Sequence, residues 1–197
     1  GDLGVVEILL KNGAKVDVPN GNNQLPIHYA FQKWHTDIIK LLVCNGAKVN
    51  VPDGGGRLPI HYACEHGDLA VVKLLLKNGA EVDVPGENGQ LPIHRAFHKW
   101  HTDVIKELVS NGAKVDLPDE DGRLPIHYAC ERGNLNLVAL LTTNGAKFDV
   151  PDRGGQLPMH YACKNYFEGY EIIFFLCEKG AKLEVPDGDG RVAKKNR

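Results

Sequence analysis

Leu25-Pro26-Ile27-His28 returns as Leu58-Pro59-Ile60-His61, Leu91-Pro92-Ile93-His94 and Leu124-Pro125-Ile126-His127, then as Leu157-Pro158-Met159-His160, always 33 residues on. A second marker, Asn-Gly-Ala, keeps the same step with its glycine at Gly13, Gly46, Gly79, Gly112 and Gly145, and ends as Lys179-Gly180-Ala181. A period held this strictly predicts stacked supersecondary units, each relying on its neighbour to cover an apolar flank.

The unit 53–85 shows the pattern. Asp53-Gly54-Gly55-Gly56-Arg57 is turn chemistry, because glycine reaches positive φ freely and aspartate bonds its own backbone, and it predicts a hairpin finger. Leu58-Pro59 opens a helix, proline suiting the first helical position, and Ile60, Ala63 and Cys64 follow at helical spacing until Gly67 stops it. A second helix carries Leu69, Val72, Leu75 and Leu76 on one face and ends at Gly79. Val82-Asp83-Val84-Pro85 is then extended and leads into the next finger.

This order resembles the ankyrin repeat, whose hallmark is Thr-Pro-Leu-His with a following alanine, a mid-unit glycine, a Val-Val-Leu-Leu helix and a closing Gly-Ala. The resemblance spans essentially the whole chain and implies one all-α solenoid of helix-turn-helix units with β-hairpin fingers. Full repeats fall at 20–52, 53–85, 86–118, 119–151 and 152–186, with a partial repeat at 1–19 and the start of a truncated repeat or cap at 187–197. Both ends cut through a unit, so the chain reads as an excerpt of something longer.

Three departures stand out. Leucine at 25, 58, 91, 124 and 157 replaces the family's threonine, whose hydroxyl would cap the helix at a value of about 1 kcal/mol, so burial must replace the cap. A 66-residue period overlies the short one: Phe31-Gln32-Lys33-Trp34-His35-Thr36-Asp37 returns as Phe97-His98-Lys99-Trp100-His101-Thr102-Asp103, and a rebuilt turn is expected where tryptophan replaces the mid-repeat glycine. The last full unit carries two extra residues around Asn165-Tyr166-Phe167-Glu168-Gly169, and its Phe174 stands where Lys73 and Lys106 stand elsewhere, exposed unless something covers it.

Net charge is −2 and the isoelectric point about 6.5, so no basic field recommends nucleic acid or an anionic membrane. Cys44, Cys64, Cys130, Cys163 and Cys177 are an odd, scattered set, read as reduced, small and buried. No apolar run nears the roughly 20 residues of a membrane span, and Gly1-Asp2-Leu3-Gly4 does not begin a signal peptide, which favours a cytoplasmic or nuclear setting.

Nine histidines raise the question of metal or catalysis. By the ankyrin resemblance His28, His61, His94, His127 and His160 are scaffold, tying neighbouring backbone together. The rest, His35, His66, His98 and His101, sit in successive turns with no converging set of three or four ligands, so no metal and no cofactor are expected. No nucleophile elbow or Walker-type loop occurs, and Gly54-Gly55-Gly56 is a finger tip, which argues against an enzyme.

Recognition remains. The residues after the motif histidines, Tyr29, Tyr62, Arg95, Tyr128 and Tyr161, face the concave side of the expected stack, and tyrosine and arginine dominate interface energies. The ankyrin resemblance implies a protein or peptide partner held there by finger tips and first helices. Carried over, the positions in the first repeats are Asn22, Gln24, Gln32 and Lys33, then Arg57, Glu65 and His66, then Glu87, Gln90, His98 and Lys99. Later repeats add Glu120, Arg123, Glu131 and Arg132, then Arg153, Gln156 and Lys164. Trp34 and Trp100, two unit steps or roughly 20 Å apart, either join this surface or pack between repeats. The resemblance also implies a possible asparagine hydroxylation at Asn50, with Leu42 eight residues earlier, although Lys48 departs from the preferred acidic residue. The expected role is therefore a non-catalytic scaffold, monomeric, without membrane insertion or nucleic acid. The alternative is a regulatory or substrate-docking arm of a larger enzyme, ubiquitin-ligase adaptor or channel.

Overall fold

The structure, a computed structural model, describes residues 1–165, 168–182 and 186–190. Tyr166, Phe167, Glu184 and the 191–197 part of the expected terminal fragment lie outside the described residues. The chain divides into two compact units, 1–111 and 112–197. The first holds α1 (Leu3–Lys11), α2 (Pro26–Gln32), α3 (Thr36–Cys44), α4 (Pro59–His66), α5 (Leu69–Lys77), α6 (Pro92–Lys99) and α7 (Thr102–Ser110). The second holds α8 (Pro125–Glu131), α9 (Leu135–Thr143), α10 (Pro158–Lys164) and α11 (Gly169–Glu178). Each repeat pairs a short first helix with a longer second one, and within each unit first helices pack on first helices and second on second.

The Leu-Pro-Ile-His marker works through its histidine. In every full repeat the helix starts with proline at its first position, and the imidazole Nδ1 accepts the backbone N–H of the preceding leucine, at 3.1 Å for Leu58 and His61. Half of a capping box thus survives the loss of threonine. The leucines themselves are buried at all five positions, as burial-for-cap exchange requires. Because Nδ1 accepts, Nε2 carries the proton and donates to backbone at the approach to, or in, the next finger: His28 to the Val51 carbonyl at 2.8 Å, His61 to Val84 at 3.0 Å and His127 to Gln156 at 3.1 Å.

The Asn-Gly-Ala marker divides its labour three ways. The asparagine amide, at Asn12, Asn45, Asn78, Asn111 and Asn144, donates to the carbonyl four residues back at 2.8 Å, adding a second donor to an acceptor that the asparagine's own N–H already bonds. Glycine then takes the left-handed conformation, φ +83° at Gly79. The alanine N–H closes on the helix, Ala80 to the Leu75 carbonyl at 3.0 Å. On α5 the face fully buried is Val71, Val72 and Leu75, with Leu69 and Leu76 half-buried.

The fingers are tight turns, and no strand forms among the described residues. In 53–57 the Asp53 N–H donates to the Arg57 carbonyl, while its carboxylate Oδ1 accepts from the N–H groups of Gly55 and Arg57 at 2.9 Å each. Asp119 and Asn20 repeat the arrangement. One cysteine expectation fails: Cys64 and Cys130 are buried and Cys163 and Cys177 half-buried, but Cys44 is exposed, because it ends α3 on the side away from the buried Leu42 and Val43.

The motif histidine makes stability depend on pH. Burial of His61, above all, pushes its pKa down to about 4, and His127 is lowered for the same reason. As pH falls from about 6.5 toward 4, the unfolded chain binds protons that these folded imidazoles refuse, so stability falls through that window and levels below it. Urea unfolding at pH 7 and pH 4.5 should show a loss of up to about 3 kcal/mol from His61, and His61→Gln should show a smaller pH-dependent drop. An unchanged drop in the variant would remove His61 as its source.

Candidate functional site

The tyrosines that follow the motif histidines are only partly available to a partner. Tyr62, Tyr128 and Tyr161 are buried, and each hydroxyl donates to the finger aspartate of its own repeat: to Asp53 at 2.5 Å, to Asp119, and to Asp152 at 2.6 Å. Burial and the neighbouring carboxylate push the Tyr62 pKa up to about 12, and Tyr128 and Tyr161 also rise, so all three stay protonated donors. Tyr29 is 44% exposed, its hydroxyl accepting from the Asn20 amide at 2.7 Å.

The repeat with arginine in the tyrosine column departs from this arrangement at both ends. Its finger begins with Gly86 in place of aspartate, and a Cβ there would lie 2.8 Å from His61 Nε2, so a side chain would require the imidazole to shift. Without the carboxylate a tyrosine would lose its partner. Arg95 instead reaches Glu87 at 3.8 Å and Glu65 of the preceding repeat at 3.9 Å.

Charge on the first-helix face is paired mainly within the chain. The Arg57 guanidinium lies 4.0 Å from the Tyr62 ring centre and bridges Glu65. In the second unit Arg123 lies between the Tyr128 and Tyr161 rings, at 4.2 and 4.4 Å, and pairs with Glu131 at 2.6 Å. Lys164 sits over Tyr161 and donates to Gln156. Of the expected contact residues, Lys33, His66, His98, Lys99 and Arg132 at the helix-to-helix turns are exposed, as are Asn22, Glu87, Glu120 and Arg153 at the fingers, whereas Gln90 is buried. Asn50 is exposed at a finger base but engaged twice, donating to the Gly79 carbonyl at 2.7 Å and accepting the Glu81 N–H at 3.0 Å.

The expected rebuilt turn at the tryptophans is not formed. Trp34 has φ +53° and Trp100 φ +61°, the left-handed geometry of Gly67 at +77°, at a strain of about 1–2 kcal/mol. Packing holds them there: the Trp34 indole stacks on His66 of the next repeat at 3.7 Å and meets Phe31 at 5.9 Å, and Trp100 meets Phe97 at 5.9 Å. The intervening glycine has a complementary role. The His101 ring lies over Gly67, where a Cβ would come within 2.3 Å of it, and its Nε2 bonds the Glu65 carbonyl at 3.0 Å. Gly1 and His35 repeat that contact one period earlier.

Among the described residues no group of three or more His, Cys, Asp or Glu side chains is placed to hold a metal, and no helix is long and apolar enough to cross a membrane. Phe174 is 60% exposed on α11.

The family model for ankyrin repeats (3 copies) matches residues 1–86, 49–119 and 93–187. The chain belongs to the ankyrin-repeat family. Among solved structures the human ASB11 ankyrin repeat domain is similar at 28% identity and a TM-score of 0.77, covering 97% of this chain and 85% of that one. The ankyrin repeat domain of Bcl-3, described as a unique member of the IkappaB protein family, is similar at 25% identity and 0.74, covering 96% and 85%. No curated protein sequence matches. Ankyrin-repeat domains are generally protein-binding modules, typically without catalysis, and no catalytic family was identified.

The glycine notch of this ankyrin-repeat chain can be tested directly. Gly67→Ala meets both left-handed strain and the His101 ring, whereas Gly79→Ala, with φ +83° and open space, meets strain alone. Gly79→Ala should cost about 1 kcal/mol and Gly67→Ala about 1–3 kcal/mol more by urea unfolding, with His101→Ala recovering part of the excess. Equal losses would show that the histidine moves aside freely.

Proposed function

We propose that the chain is a non-catalytic recognition module that binds a protein or peptide along the face made by its first helices and finger tips, acting as a monomer in the cytoplasm or nucleus. The supporting observation is the division of that face. Its tyrosines and arginines are drawn into internal bonds, while Lys33, His66, His98, Lys99 and Arg132 project at the turns beside them. Recognition then rests on these turn residues with Tyr29 and the finger tips, and the buried set of Tyr62, Tyr128, Tyr161 and the paired Arg57, Arg95 and Arg123 acts by holding the surface in shape. Five free cysteines agree with a reducing compartment. Asn50 remains a candidate for hydroxylation, which would require freeing its amide from Gly79 and Glu81.

Lysine acetylation of the free chain and of the chain captured with its partner separates this face from the outer one. Lys33, Lys99 and Lys164 should be protected in the complex, while Lys40 and Lys106 on the second helices keep their reactivity. Protection confined to Lys40 and Lys106 would overturn the assignment of the face.

A further inference from the structure

We propose that the turns Lys33-Trp34-His35 and Lys99-Trp100-His101 are paired anchor points for an acidic, extended polypeptide segment. This rests on the recognition reading above and names the chemistry of its partner.

Charge carries the first part of the argument. Between the two turns, in the same unit, the carboxylates of the first-helix face already have cationic partners: Glu65 pairs with Arg57 and with Arg95, and Glu87 with Arg95. Lys33 and Lys99 are exposed and have no carboxylate partner among the described residues. The outward lysines differ, since Lys40 pairs with Asp37 at 3.9 Å and Lys106 with Asp103 at 3.7 Å. Within the first unit Lys33 and Lys99, each at the same position of its turn, are thus the two first-helix ammonium groups with no carboxylate partner among the described residues.

Backbone strain is the second and independent observation. Trp34 and Trp100 occupy left-handed geometry at a position where Gly67 shows that glycine closes the same turn without cost. Strained residues of this kind concentrate where binding uses them. Each strained indole immediately follows one of the two free lysines. Between the anchors His66 is exposed and stacked on Trp34, giving a flat aromatic floor over which an extended chain can pass.

Spacing makes the partner specific. Two repeat steps place the lysines roughly 20 Å apart, and an extended peptide advances about 3.3 Å per residue, so its acidic groups should stand about six residues apart.

The test uses the full chain and labelled Gly/Ser peptides carrying two Glu-Glu pairs, read by fluorescence anisotropy at low ionic strength. The peptide with pairs about six residues apart should bind about tenfold more tightly than its Gln-Gln counterpart and more tightly than one with the pairs adjacent. Lys33→Glu with Lys99→Glu should abolish that preference, and Lys40→Glu with Lys106→Glu should leave it. Equal binding of the Glu and Gln peptides would overturn the acidic partner while leaving the recognition face intact. No binding of the spaced peptide, equal loss in the Lys40/Lys106 variant, or phosphatidylserine vesicles displacing the peptide would also overturn it, the last in favour of a membrane surface. A thermal unfolding midpoint shared by both double variants and the parent excludes misfolding as the cause.

Discussion

Everything in this fold depends on a neutral imidazole using both of its nitrogens. Nδ1 takes the N–H that begins the first helix, and Nε2 gives its proton to the backbone that leads into the next finger. One side chain therefore starts a helix and fixes where the following finger lies. The two bonds are coupled through the tautomer, since an imidazole that accepts at one nitrogen must donate at the other. Protonation would turn the accepting nitrogen into a donor facing another donor, and the depressed pKa of His61 reflects a burial that resists this. Leucine can then replace the capping threonine, because the histidine still satisfies one N–H and the leucine adds apolar burial.

The 66-residue period is a matter of steric complementarity between neighbours. A Gly-Asp turn, Gly67-Asp68, leaves a notch and caps its own second helix through the Asp68 carboxylate to the Val71 N–H. A Trp-His turn has no such side-chain cap at His101; its histidine fills the notch of the preceding repeat and bonds that repeat's first helix at Glu65. Two Trp-His turns in succession would bring an indole and an imidazole to the same space. Alternation is therefore the arrangement in which cap, notch and ring are all accommodated, and it accounts for the duplication of a two-repeat block.

The helices, their proline starts, their glycine ends and the buried leucines were legible in the sequence, because each depends on residues within a few positions of one another. The turn at Trp34 was not. Its conformation is held by a ring stacked on His66, 32 residues later, and intrinsic preference argued the other way. The asparagine of Asn-Gly-Ala was legible as part of a marker but not as a cap, since the glycine beside it already explained the helix end. The tyrosine column was read as facing a partner on the concave side, yet Tyr62, Tyr128 and Tyr161 are buried, each held by an aspartate nine residues earlier, a pairing that helical periodicity does not report. The concerted change of Asp to Gly86 and Tyr to Arg95 was the available signal: two aligned substitutions in one repeat alone.

Tyrosine and arginine are favoured at interfaces because they offer large, adaptable contact area with a polar end. The same properties suit them to the seam between finger and first helix, where an aromatic ring must pack, a hydroxyl must find a carboxylate, and a guanidinium must cover the ring. In this chain the seam has first claim on them. Once it is satisfied, Arg57 and Arg95 are held by Glu65 and cannot turn to a partner without leaving that carboxylate unpaired in a half-buried site. The surface left to a partner includes the turns, where Lys33 and Lys99 are exposed beside the packed Trp34 and Trp100 rings. Internal satisfaction of the seam and external recognition at the turns are thus two consequences of one repeat architecture: the more completely the fingers are locked, the more selectivity must come from the residues that differ between Gly-Asp and Trp-His turns.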